Sequence, residues 1–334
     1  MKCKILYTIA LLLVIVACER DPEKVTVDVD SAKTTVLHAN IIEELSMTRI
    51  SNFSMLQSIG KSLFITLPRS QNDTLIYEWN ANQKFLKGSY RSGRGPGEVL
   101  QVFASSRCPV EQQLYFFCRS NAKILLHHSD GGFSELTLPH SLYSFNGISF
   151  ASSGEHIAFN ITSQGANDNK LLAIYHTKTG AISYSINTRI PFGYEPSSRN
   201  LFSALAGTPE GFVFAFLGDK ELIFLDHSGN IGKILKLGDN DLIPEPYIPA
   251  VGQRRLGAQP YIAKIEYVNE LLYVLFNGEI YIVNANNGRL TDKLDIVNNS
   301  SESIKPILDF TISDGVLYLR ALGNEIYWID SLTL

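Results

Sequence analysis

The sequence predicts an all-β chain, a six-bladed β-propeller of four-stranded blades whose ring is closed by a strand from the N-terminal side. Three observations carry that expectation. Helical periodicity is almost absent. A pair of strand-like segments recurs six times at a period near 48 residues. The sixth copy runs out of chain four residues after Asp330, before an outer strand, while an unassigned strand-like segment, 35–41, precedes the first copy.

The first member of each pair reads 62–67, 114–118, 156–161, 212–216, 272–276 and 316–321. Its partner reads 75–79, 124–128, 171–176, 222–226, 280–284 and 326–330. These runs are rich in aromatic, β-branched and Leu residues, as buried or half-buried strands require. Each second strand ends in a polar residue (Asn80, His128, His176, Asp226, Asn284, Asp330), spaced 48, 48, 50, 58 and 46 residues apart. Gly132, Gly180, Gly229 and Gly288 follow closely, where a tight turn calls for positive φ. Units of this length are four-stranded blades, and a blade buries its faces only against its neighbours, so the ring must close. The segment 35–41 is expected to pair with 326–330 as the missing edge.

The chain start sets a different expectation. A basic head with Lys2 and Lys4 precedes an apolar run from Ile5 to Ala17, broken only by Thr8. That run is shorter than the roughly 20 residues a membrane span needs and has the length of a secretory signal. It ends Ile15-Val16-Ala17-Cys18, which resembles the bacterial lipobox. The resemblance implies cleavage after residue 17, lipid on Cys18 and a membrane anchor held by more than one acyl chain. Residues 18–34 are polar and aperiodic and read as a flexible tether, leaving 35–334 for the propeller. The acidic residues after Cys18 resemble surface-export signals of Bacteroidetes lipoproteins, so the chain is expected on the outer membrane, facing the periplasm or the cell surface.

Composition narrows the partners. The formal charge is −4, and losing Lys2 and Lys4 with the signal makes it −6, so no electrostatic footprint for nucleic acid exists. Besides Cys18, the mature chain holds Cys108 and Cys118, which flank a turn; they either form a disulfide or stand as two buried thiols.

Between the first two units lies Arg91-Ser92-Gly93-Arg94-Gly95-Pro96-Gly97-Glu98-Val99. With the lipobox and the repeat, this resembles six-bladed propeller lipoproteins of Bacteroidetes, some described as TolB-like, with Val99 standing where an aromatic or Leu is usual. The resemblance implies fold and location, not a function. Physically, alternating glycines and a proline make a compact turn that packs strands near the axis, with Glu98 aimed at neighbouring amides or Arg94. No helix follows to hold phosphates, which removes a dinucleotide reading.

The long connections fall on one face by blade topology: 187–200, 239–261, 93–98 and 164–170. They carry Arg94, Arg189, Tyr194, Arg199, Tyr247, Arg254, Arg255 and Tyr261, and rings with guanidinium groups suit glycans, carboxylates or peptide segments. Asn146, Glu266 and Asp309 fall at or near innermost strands, which resembles the calcium ligands of propeller lactonases. Each equally suits a bond to backbone or water, so no metal and no cofactor are assigned. Adjacent His127 and His128 must point to opposite faces of their strand. No nucleophile elbow, His-Glu-x-x-His or Cys-x-x-Cys pattern occurs. The expected function is a non-catalytic binding or scaffold module for a glycan, peptide or envelope protein; the alternative is a hydrolase or lyase acting at the ring axis.

Overall fold

The computed structural model describes residues 22–45, 55–71, 73–139, 142, 149–160, 170–187, 203–216, 220–238, 262–323, 325–330 and 332. Three strands precede the blades: β1 (Glu23–Val27), β2 (Lys33–His38) and β3 (Asn40–Ile41). Blade 1 is β4 (Met55–Ile59), β5 (Ser62–Gln71), β6 (Thr74–Asn80) and β7 (Phe85–Arg91). Blade 2 is β8 (Ala104–Cys108), β9 (Gln113–Cys118), β10 (Lys123–His127) and β11 (Phe133–Thr137). Blade 3 is β12 (Phe150–Ser153), β13 (His156–Asn160), β14 (Lys170–His176) and β15 (Ile182–Asn187). Blade 4 is β16 (Ser203–Thr208), β17 (Gly211–Phe216), β18 (Glu221–Asp226) and β19 (Ile231–Leu237). Blade 5 is β20 (Ile262–Val268), β21 (Leu271–Phe276), β22 (Glu279–Asn284) and β23 (Leu290–Val297), and blade 6 is β24 (Ile307–Ser313), β25 (Val316–Ala321) and β26 (Ile326–Ile329).

Within every blade the strands pair antiparallel in chain order, inner to outer. The recurring pairs read from the sequence are therefore the second and third strands of each blade. Those strands read as nearly continuous apolar runs because both of their faces are covered by neighbouring blades. Leu63 packs toward blade 6 and the adjacent Phe64 toward blade 2, while Phe212 packs toward blade 3 and Val213 toward blade 5. Among the described residues the apolar core divides into six clusters, one at each blade–blade junction. Side chains such as Phe64, Phe116 and Phe310, each 0% exposed, contribute on the order of 1.5–3 kcal/mol apiece on burial.

Ring closure follows the expectation in kind and departs from it in detail. Asn40 and Ile41 pair antiparallel with Trp328 and Tyr327, supplying the fourth strand of blade 6. The preceding residues do not continue along that edge. Lys33–His38 runs parallel to β23 as a fifth strand of blade 5, with Thr35 Oγ1 donating to Asp292 at 2.8 Å. Glu23–Val27 runs parallel to β19 as a fifth strand of blade 4, so part of the stretch read as a tether is built into the ring. An outer blade edge offers unpaired N–H and C=O groups, and at blades 4 and 5 these parallel strands cover it. Residues 1–17 and Cys18 lie outside the described residues.

Candidate functional site

An innermost propeller strand has one edge bonded to its own blade and one edge facing the axis. Its axis-facing backbone groups need partners from elsewhere. Here polar side chains on neighbouring inner strands supply them. The Asp309 carboxylate of β24 accepts Leu56 N of β4 at 2.8 Å and Phe310 N at 2.8 Å. Glu266 of β20 accepts Ile312 N at 3.0 Å, and Ser106 of β8 accepts Ser152 N at 3.4 Å. Lys264 Nζ donates to Leu56 O at 2.8 Å and to Asp309 Oδ1 at 2.8 Å. Glu266 Oε1 lies 3.3 Å from the same ammonium, a charge contact without hydrogen-bond alignment. Ser58 and Thr311 close the belt between blades 1 and 6 at 2.9 Å.

Above this belt is a cavity of about 490 Å³, within the range of small-molecule sites. All six innermost strands or their lead-ins line it. One wall, from blades 5, 6 and 1, carries Lys264, Glu266, Asp309 and Gln57. The opposite wall, from blades 3 and 4, carries Ser149, Ser203, Ala204 and Ala206, with Ser149 and Ser203 hydroxyls 2.7 Å apart. Arg320 reaches the wall from β25 at 4% exposure; burial pulls its guanidinium below its ordinary pKa and the Asp309 charge pushes it back up.

Arg107 gives the cavity a floor. It starts on β8 in blade 2 and crosses the axis, where Nη1 donates to Ile312 O and Nη2 to Tyr267 O at 3.3 Å. The mouth lies at the other end, where the lead-ins 101–103, Ser149, Ser203, Ala263 and Leu308 enter their inner strands. That is the face on which the blade-to-blade connections emerge. The hairpins of the opposite face are short, spanning 60–61, 109–112, 154–155, 209–210, 269–270 and 314–315.

The sequence-predicted residues divide unevenly. Glu266 and Asp309 do meet at the axis, but the cation between them is Lys264; Asn146 lies outside the described residues. Arg189, Tyr194, Arg199, Tyr247, Arg254, Arg255 and Tyr261 also lie outside them. Arg94 is exposed at the rim between blades 1 and 2. Its turn is built as expected in one respect: Glu98 accepts Gly95 N at 2.8 Å. The turn packs away from the axis, however, against the outer strands of blade 2. Gly97 N donates to Glu135 of β11 at 2.7 Å, and Lys123 of β10 ion-pairs with Glu135 at 2.7 Å and reaches Gly95 O at 3.3 Å. The positive φ expected at Gly132 belongs to Gly131 instead.

Cys108 and Cys118 are two buried free thiols. Cys108 sits opposite Gln113, so Cys118 is five residues further along β9. At about 3.4 Å per residue that distance far exceeds disulfide reach. His127 and His128 diverge as expected. His127 is buried and bonds Tyr90 at 2.7 Å, while His128 meets Ser134 on the other side at 2.9 Å.

Sequence reasoning missed Lys264, Arg107 and Arg320. The signal was present for Arg320, a charge inside the apolar run Val316–Ala321, and for Lys264 with Glu266, alternating charges within Ile262–Val268.

No protein-family model matches the chain, and no curated protein matches it. Solved structures share its fold. One is a Bacteroides fragilis protein described as exported (14% identity, TM-score 0.55, covering 92% of this chain and 99% of that one). Another is a Bacteroides thetaiotaomicron protein of unknown function (10% identity, TM-score 0.52, 91% and 74%). A third is a member of the duf4221 family from Bacteroides vulgatus (11% identity, TM-score 0.50, 88% and 95%). The chain is thus a six-bladed propeller resembling Bacteroides proteins. At these identities the likeness is one of fold.

Proposed function

We propose that the chain is a lipid-anchored binding module of the bacterial envelope that takes a small polar ligand, a glycan or a peptide segment, into its axial cavity. The observation that carries this reading is the cavity itself: floored by Arg107, walled by charged groups on one side and hydroxyl and small residues on the other. A sugar or peptide presents that combination of hydroxyl or amide edges and apolar patches. The mouth opens on the face of the long connections, whose Arg and Tyr residues would extend the contact. The envelope location is supported by the lipobox at Cys18 and by fold likeness to a protein described as exported.

Both axial carboxylates already serve backbone amides and Lys264, which favours holding a ligand over transforming one. The test is a glycan and peptide array probed with the purified chain and with Ala263→Phe, which places a ring at the mouth. Ala263 also packs against the core between blades 5 and 6, so cooperative melting checks that the variant folds, and binding should fall by about tenfold or more, equivalent to about 1.4 kcal/mol. Undiminished capture by the variant would reject the cavity as the site. Turnover of a captured ligand, lost in Asp309→Asn, would favour the hydrolase or lyase alternative. Palmitate labelling lost in Cys18→Ala tests the anchor.

A further inference from the structure

The charged groups around the axial cavity differ in how fully their hydrogen-bonding capacity is taken up. Lys264, Arg107 and Arg320 line it against Glu266 and Asp309. One positive charge is left uncompensated there, in a chain whose formal charge is −4. The carboxylates are committed: Asp309 accepts Leu56 N, Phe310 N and the Lys264 ammonium, and Glu266 accepts Ile312 N. Lys264 is likewise occupied by Asp309 and Leu56 O and lies against Glu266. Arg107 is not. A guanidinium carries five N–H donors, and Arg107 directs one from each Nη to Ile312 O and Tyr267 O. Its Nε–H and the second N–H of each Nη meet no acceptor among the described residues, and no carboxylate there pairs with it. None of its nitrogens is a buried atom lacking a partner, so these donors border accessible space.

We propose that the cavity takes the uronic-acid end of an acidic glycan, with the sugar carboxylate seated on Arg107 at the floor. The assignment rests on the cavity being the binding site. The planar fork of a guanidinium matches a carboxylate through two parallel N–H···O bonds, and the free Nε edge of Arg107 supplies such a fork without displacing its bonds to the two carbonyls. A single uncompensated positive charge matches a monoanion. Above the floor, the Ser149 and Ser203 hydroxyls share one hydrogen bond at 2.7 Å, which leaves the second hydroxyl proton to donate. Gln101 adds an amide and Phe103 an apolar face near the mouth. A sugar ring presents hydroxyls and an apolar C–H face to match that mixture.

A peptide fits less well. Extended peptides are held by adding their backbone to a strand edge. Here the axis-facing groups of the inner strands are taken: Leu56 by Asp309 and Lys264, Ile312 by Glu266 and Arg107, and Ser152 N by Ser106.

The experiment is calorimetric titration of the purified full chain with oligogalacturonate and with glucuronate-ended oligosaccharides, each beside its carboxyl-reduced form. At least one acid should bind about tenfold or more tighter than its reduced partner, the effect of a charge-assisted pair. In Arg107→Gln that ratio should fall towards one, and Arg107→Lys, which keeps the charge and loses the fork, should lie between. Melting checks that each variant folds, and the acid-to-neutral comparison in the wild-type chain needs no variant. Equal binding of acid and reduced forms, both lost in Ala263→Phe, would overturn this assignment and leave the cavity as the site. An acid preference that persists in folded Arg107→Gln would also overturn it, as would capture of peptides with a free C-terminal carboxylate and of no saccharide. Binding of neither sugars nor peptides would remove the cavity reading itself, and this assignment with it.

Discussion

Lys264→Met is the sharpest test of what holds the axis. It removes the ammonium that lies 2.8 Å from Asp309 and 3.3 Å from Glu266, and with it the bond to Leu56 O. Asp309 and Glu266, each 7% exposed, are left without the ammonium between them, with Arg320 still close to Asp309. Removing one partner of a buried ion pair costs about 3–5 kcal/mol. The Lys264 side chain keeps 18% of its exposure, which places the cost near the lower end. At about 2–4 °C per kcal/mol for a domain approaching this size, melting should fall by roughly 6–12 °C at pH 7.5. The triple variant Lys264→Met with Glu266→Gln and Asp309→Asn should recover part of the loss, because the stranded carboxylates are gone while Arg320 loses the Asp309 charge beside it. Calorimetric melting of the three proteins decides it. A single variant within about 1 °C of wild type would refute the view that this cluster ties blades 5, 6 and 1 together.

Three further outcomes follow from the same reasoning. Gly97 has φ +72° and an added Cβ would lie 2.9 Å from the Phe133 ring, so Gly97→Ala should cost about 1–3 kcal/mol in urea unfolding. Burial holds His127 below the ordinary histidine pKa; the unfolded chain therefore binds a proton that the fold refuses, and stability declines as pH falls through about 6.5. His127→Gln should flatten part of that decline between pH 7.5 and 5.5, read from denaturant midpoints. Cys118, whose thiol burial pushes up to about 12, should resist alkylation in the native chain and react fully once unfolded, with reductant leaving the melting temperature unchanged.

The fold was legible because its signal is repetitive. Strands such as Leu271–Phe276 and Glu279–Asn284 are apolar on both faces, and the spacing of Asn80, Asp226 and Asn284 marks where each pair ends. Their side chains cap the turns as that pattern implies: Asn80 Oδ1 accepts Asn82 N at 3.0 Å and Asn284 Oδ1 accepts Asn286 N at 3.0 Å. The axial cluster was legible only in part. Glu266 and Asp309 announce themselves as acids near inner strands, but their partner is set by how the ring brings β20 beside β24, which no local spacing encodes. The histidines at 156, 176 and 227 illustrate the same limit. Adjacent His127 and His128 diverge, while His156 meets His176, 20 positions away, and His227, 71 positions away, because a hairpin register and a blade junction place them together. The N-terminal strands misled because parallel pairing leaves no turn signature.

The way the ring is closed bears on how it is made. Strands β1, β2 and β3 are synthesised well before their partners at Lys233–Leu237, Asp292–Val297 and Tyr327–Trp328. Such long-separation pairing is slow to form. Until the leading arm is laid down, the outer margins of blades 4, 5 and 6 stand ready to accept it. Two nascent copies in close quarters can therefore trade arms, each finishing the other's circle, and the linked pair would contain every contact of the single ring.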